Sequence, residues 1–134
     1  MPKLIGVDYG AKRVGVAISD ERGVIAFPKA TLPNDRALIP AMVDLIRKEN
    51  VMTVVVGESR GGGGNENPVM QGARAFAEEL EKSAAVAIQF EPEFYTSVEA
   101  RRLSQEAGGT KKKEVDAQAA AIILNSYIAR IKEQ

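Results

Sequence analysis

LIGVDYGAKRVGVAISD, Leu4 to Asp20, is the stretch whose reading decides the fold. LIGVDYG is short, apolar and rich in β-branched residues. VGVAISD alternates Val14, Val16 and Ile18 against Gly15, Ala17 and Ser19, as strands do. Gly10 and the basic pair Lys12-Arg13 separate them, so the stretch predicts two strands joined by a tight turn. Asp8 sits inside the first apolar run. A carboxylate held there costs several kcal/mol, by a rough estimate, unless it is paired or metal-bound. A salt bridge to Lys12 or Arg13, a cap on the glycine turn, and a functional role are all open for it at this level.

The rest of the chain builds outward from that hairpin. Asp20-Glu21-Arg22-Gly23 is a polar turn, and VIAFPKATL resumes an extended pattern in which Pro28 predicts an edge or a bulge. Asn34 or Asp35 can cap a helix reaching about Asn50, with Leu38, Met42, Leu45 and Ile46 on one face and Pro40 tolerated near its start. The strand VMTVVVG follows, then a glycine loop at Gly61 to Gly64. Val69, Gly72, Ala73, Phe76, Ala77 and Leu80 next keep helical spacing. AVAIQF is a further strand, with Glu91 and Glu93 just beyond it. Thr96 and Glu99 form a capping box for a helix stopped by Gly108-Gly109. Lys111 to Lys113 lie in the following loop. A last helix from about Val115 turns Val115, Ala119, Ile122, Ile123 and Ile128 inward. The order βββαβαβαα predicts an α/β domain with a mixed five-stranded sheet flanked by helices.

Composition bounds the chemistry. The 134 residues, 45% hydrophobic and 27% charged, fit a single domain over 1–134 able to bury roughly two thirds of its unfolded surface. Cysteine and histidine are both missing, which removes thiolate chemistry, the commonest general base and the commonest zinc ligand. What remains is oxygen chemistry, for which hard cations such as Mg²⁺ or Mn²⁺ are the natural partners. Basic and acidic residues balance at 18 each, so only a local basic patch could draw a nucleic acid. No apolar run approaches the roughly 20 residues that span a bilayer, and a cytoplasmic protein with no membrane partner is expected.

Three acids stand out in that setting: Asp8 on the first strand, Glu93 after the last, and Asp116 in the first turn of the last helix. Each has an ordinary reading alone. Glu93 would be a solvated loop acid, and Asp116 a favourable contact with the helix dipole. Spacing also leaves Glu91 and Glu93 unranked, because they share one side of an extended strand. Together the acids could converge at one edge of the sheet, where carboxylates about 5 Å apart repel by roughly 3 kcal/mol per pair at an effective dielectric near 20. A divalent cation relieves that repulsion and can serve phosphodiester hydrolysis. Lys12, Arg13 and Lys111, Lys112 and Lys113 could track a phosphate backbone. The glycine loop reads as a linker, since no lysine or hydroxyl residue follows at P-loop spacing.

GVDYGAKRVGVAISD, TSVEARRL and KKKEVDAQAAAIILNSYI resemble, in order and spacing, the YqgF/RuvX family of Holliday-junction-resolvase-like proteins, regarded as candidate pre-16S rRNA nucleases. The resemblance covers essentially the whole chain. It implies a ribonuclease H-like fold and carboxylates working with Mg²⁺ or Mn²⁺, the family acids falling on Asp8, Glu93 and Asp116. It also selects Glu93 over Glu91, since Thr96-Ser97-Val98-Glu99-Ala100 fixes the register. Two segments depart from the family pattern. Pro92-Glu93-Phe94 stands where D-E-R is common, losing an arginine, and GESRGGGG stands where G-L-P-x-N-M-D-G is common. Arg60 could replace part of the lost positive charge.

The resemblance implies a metal-dependent endonuclease on structured RNA, maturing the 5′ end of 16S rRNA. Its alternatives are a four-way DNA junction resolvase and an RNA-binding or regulatory domain with weakened catalysis. An ATP-binding module of the actin type shares a D-x-G hairpin, but such proteins place nucleotide between two domains and this chain is sized for one.

Overall fold

The computed structural model describes residues 3–59, 68–93 and 112–132. Along them run β1 (Lys3–Tyr9), β2 (Arg13–Ser19), β3 (Ala26–Pro33), α1 (Leu38–Lys48), β4 (Val51–Ser59), α2 (Pro68–Ala84), β5 (Ala87–Glu93) and α3 (Lys112–Lys132). They follow the expected order. The helix expected from Thr96, with its capping box and its Gly108-Gly109 stop, lies outside the described residues, as does the Gly61 to Gly64 loop.

The strands form one mixed sheet in the order β3-β2-β1-β4-β5. β1 pairs antiparallel with β2, and β2 with β3, which is the expected meander. β1 and β4, then β4 and β5, run parallel, joined by helical crossovers. Pro28 is at both an edge and an irregularity: Val16 pairs with Ala30 and Ala17 with Pro28, so Lys29 is extra on β3.

Alternation along the strands sorts the core into two layers. Ile5, Val7, Val14, Val16, Val54 and Val56 face α1 and α2, meeting Leu38, Met42 and Ile46 from one helix and Met70, Ala73, Phe76, Ala77 and Leu80 from the other. Met70, rather than the expected Val69, fills the first turn of α2; Val69 is exposed. Leu45 is half-buried. α1 begins at Leu38, later than a cap at Asn34 or Asp35 requires. Asn34 is committed to the β1–β2 turn, donating its side-chain amide to the Gly10 carbonyl at 2.8 Å. Asp35 accepts the Ala37 N–H at 2.9 Å and so shapes the approach to the helix.

The opposite face belongs to α3, which packs Ile123, Leu124 and Ile128 on Val55, and Ala120 and Ala121 on Ala17. Ile122, expected inward, is half-buried, and Leu124 is the fully buried residue instead. Gly6 and Gly15 let the helix approach closely. A methyl group on Gly6 would sit 2.7 Å from the Leu124 Cβ and 2.8 Å from the Ala120 carbonyl oxygen. One on Gly15 would overlap the carbonyl of Asp116. Farther along the helix, Asn125 accepts the Ala26 N–H at 2.9 Å and donates to the Ala26 carbonyl at 3.3 Å, fastening the start of β3. Among the described residues no helix is long and apolar enough to cross a membrane.

Candidate active site

Asp8 is the penultimate residue of β1. It lies on the same side of the strand as Gly6, and therefore on the α3 side of the sheet. Only 6% of it is exposed. Its partner across β2 is Gly15. Since Gly15 lies directly beneath the backbone of Asp116, the β1 acid and the α3 acid are brought to one end of the sheet by a residue without a side chain. The turn above them is tight, because a Cβ at Gly10 would come within 2.7 Å of the Arg13 carbonyl oxygen.

Asp116 is less exposed than its position near a helix start suggests, at 14% of the side chain. α3 begins at Lys112, three residues before the expected Val115, which moves Asp116 from the first turn to the second. The apolar pattern starts only at Val115, so periodicity could not find the polar first turn. The earlier start also takes Lys112 and Lys113 out of the expected loop and onto the helix; their side chains, like Lys111 and Arg60, lie outside the described residues. Asp116 accepts a hydrogen bond from Arg13 Nε at 2.7 Å. Arg13, which the sequence offers to phosphate or to Asp8, is thus paired with an acid 103 positions away. Lys12 is exposed at the hairpin turn.

β5 continues through Pro92 to Glu93, beyond the expected end at Phe90. An edge strand tolerates the missing N–H of a proline, which is why Pro92 does not stop it. Glu91 pairs with Gly57 and Glu93 with Ser59, so both acids belong to the strand and share one side of it. Glu91 is buried and already engaged. Ser126 donates its hydroxyl to Oε2 at 2.9 Å, and Arg130 Nε donates to Oε1 at 2.8 Å. The Arg130 guanidinium also stands 5.5 Å from the centre of the Tyr127 ring. The bond to Glu91, and then its charge, raise the pKa of Arg130 above the ordinary arginine value, against desolvation. Glu91 is therefore a tie between β5 and α3, a role that strand spacing alone could not separate from a functional one. The Glu93 side chain lies outside the described residues.

Asp8 and Asp116 are thus the two expected acids whose side chains are described. Among the described residues no three acid, histidine or cysteine side chains cluster as a metal site would require. The donor chemistry still fits a hard cation, because the candidate acids offer oxygen donors and the chain has no histidine or cysteine.

A β3-β2-β1-β4-β5 mixed sheet with helices on both faces is the ribonuclease H-like fold, here with an acid at the end of its central strand and a second on the helix crossing that strand. The solved structures that resemble it are consistent with that class. The Thermus thermophilus RuvC bound to a Holliday junction superposes with a TM-score of 0.61 at 17% identity, covering 98% of this chain and 96% of that one. The fowlpox virus Holliday junction resolvase superposes with a TM-score of 0.56 at 14% identity, over 96% and 99%. At such identities they show the fold alone.

The chain belongs to the RuvX family, whose model, described as Holliday junction resolvase, matches residues 2–130. It is 33% identical over 133 residues to a candidate pre-16S rRNA nuclease of Maridesulfovibrio salexigens, covering 96% of this chain and 98% of that protein. It is 41% identical over 127 residues to one from Frankia casuarinae, covering 90% and 63%. By this membership it is a nuclease.

Proposed function

We propose that this chain is a divalent-cation-dependent endonuclease that cuts structured RNA, with the precursor of 16S rRNA, trimmed at its 5′ end, as its substrate. The observation that supports the reading is that Asp8 pairs with Gly15 in the sheet while the backbone of Asp116 lies against the same Gly15. The relatives named for pre-16S rRNA support the substrate. Asp8, Glu93 and Asp116 are the residues that would hold Mg²⁺ or Mn²⁺. When bound, such a cation supplies an activated water and charge stabilisation for the leaving oxygen. The protein's part is placement. Asp8 is fixed by a strand buried on both faces, Asp116 by a helix seated on glycines, and Glu93 by its pairing at the end of β5. Lys12, Arg13, Arg60, Lys111, Lys112 and Lys113 are the cations available for phosphate. The whole of 1–134 acts as one domain, and an rRNA precursor as substrate puts its work in the cytoplasm.

The test is cleavage of a precursor rRNA fragment with Mn²⁺ by the wild-type chain and by Asp8→Asn. The variant should lose cleavage while keeping its thermal unfolding temperature; a variant that still cuts at the wild-type rate sinks the site. A four-way DNA junction is the second reading, favoured by the family description and by the junction-bound resolvase that shares the fold. Both substrates assayed at one salt concentration separate the two, because phosphate-driven affinity falls steeply with salt. If Mn²⁺ titrated to millimolar concentration leaves no binding signal, a non-catalytic RNA-binding role replaces both.

A further inference from the structure

Arg13 and Asp116 form an ion pair beside the buried Asp8 end of β1. Arg13 is the first residue of β2 and lies on the same side as Gly15 and Ala17, the side that α3 covers. Its guanidinium side chain is 33% exposed, whereas the carboxylate it meets is 14% exposed. Arg13 Nε donates to Asp116 Oδ2 at 2.7 Å. The shortest contact to Asp116 is through Nε, and the two terminal nitrogens of an arginine are the fork it uses for carboxylate or phosphate. α3 does not depend on this pair for its seat. Close packing on Gly6 and Gly15, the Asn125 clasp on Ala26 and the Glu91 tie to Ser126 and Arg130 already hold it. A half-exposed ion pair adds little to stability beside these.

What the pair does supply is a counter-charge. Asp8 is buried and Asp116 nearly so, at one end of the sheet, and the Arg13 cation stands on the second of them. A cation of the protein and a cation from solution would then compete for one carboxylate. We propose that Arg13 is a resident counter-ion of Asp116 and a positioning residue of the site: it yields Asp116 to a divalent cation and presents its terminal nitrogens to a phosphate of the nucleic acid. The inference rests on the acid site proposed above and adds a coupling to it. Without nucleic acid, Arg13 weakens cation binding. A bound phosphate that draws Arg13 away strengthens cation binding, and by reciprocity the cation strengthens nucleic-acid binding.

Calorimetric titration of Mn²⁺ alone into the wild-type chain, Arg13→Gln and Arg13→Lys tests the first half. Arg13→Gln should bind Mn²⁺ about tenfold more tightly than wild type, the scale of losing one charge-assisted bond. Arg13→Lys keeps the charge and should stay near wild type. Binding of a precursor rRNA fragment in EDTA tests the second half. Arg13→Gln should bind more weakly, with a salt slope smaller by about 0.7 to 0.9, the loss of one phosphate contact. Arg13→Lys should recover the slope without recovering the full affinity, because an ammonium lacks the fork. Circular-dichroism melts confirm that each variant is folded at the assay temperature. Unchanged or weaker Mn²⁺ binding by Arg13→Gln overturns the proposal, since Arg13 would then prop Asp116 for the metal rather than compete with it. An unchanged RNA salt slope overturns the hand-over to phosphate. Asp8→Asn separates this failure from failure of the site: if it binds Mn²⁺ as wild type does, the acid site itself is wrong; if it loses Mn²⁺ while Arg13→Gln gains none, only the competition is wrong.

Discussion

Gly15→Ala would set a methyl group against the main-chain carbonyl of Asp116, where no side-chain rotation can make room. The scale can be worked from its neighbour Gly6, where a Cβ would lie 2.7 Å and 2.8 Å from atoms of α3 against an ordinary contact starting at 3.4 Å. That is a shortfall of 0.6 to 0.7 Å at Gly6, and the overlap at Gly15 is larger. The helix must therefore lift by roughly an ångström at Asp116, the kind of misfit that costs about 1 to 3 kcal/mol in a packed core. At the upper end of that range, the melting temperature of a chain of this size should fall by about 10 °C. The same lift takes Asp116 away from Asp8, and a displacement of about 1 Å at a reacting centre costs on the order of 100-fold in rate. Melting by circular dichroism, and cleavage of the precursor rRNA fragment well below both melting temperatures, read the two effects. Leu80→Ala is the control. It removes a fully buried side chain from the opposite layer, at a cost of about 2 to 5 kcal/mol, without touching α3, so its folded fraction should cut normally. A Gly15→Ala chain that melts and cuts like wild type refutes the role of the glycine seat. Equal rate losses in both variants would show that general loosening, rather than displacement of Asp116, is responsible.

Two further outcomes follow from the same packing. Glu91→Ala should lower the urea midpoint more than Glu91→Gln, because glutamine keeps an oxygen for Ser126 or Arg130 while alanine leaves both without an acceptor; equal midpoints would deny the tie between β5 and α3. Asp20 accepts N–H groups from Val24 at 2.7 Å and Ile25 at 3.2 Å, and these bonds pull its pKa below the ordinary 3.8. A carboxylate with a depressed folded pKa contributes stability above its unfolded pKa and loses it as pH falls through the folded value. Asp20→Asn should therefore melt below wild type at pH 7, and the gap should close as acid carries the carboxylate through its folded pKa. A gap that stays constant into that acid range would exclude the charge as its cause.

Much of this architecture was legible because it is written in local periodicity. The alternation of Val14, Val16 and Ile18 and the three-four spacing of Ala73, Phe76, Ala77 and Leu80 need only neighbouring residues to be read, and both recur in the core facing α1 and α2. Asp8 was conspicuous for a related reason, as a charge inside an apolar strand. The ends of elements were less legible. Pro92 looks like a stop until β5 is known to be an edge, and Lys112 and Lys113 look like part of a loop until they are seen to open a helix. Pairings across the chain could not be read at all. Nothing near Arg13 announces Asp116, and nothing in strand spacing distinguishes Glu91, buried against Ser126 and Arg130, from Glu93 two residues later.

The seat of α3 on β1 and β2 also sets an order of events during synthesis. Chains emerge and fold from the N-terminus, so the β1–β2 hairpin, carrying Asp8 and Arg13, is made long before the helix that covers it. Asp116 reaches Gly15 only once nearly all of the preceding chain has been built. A ribosome that stalls before α3 would leave a hairpin holding one acid and one cation but lacking the second acid. Assembly of the pair is thus tied to synthesis of α3, and products truncated before that helix would lack it.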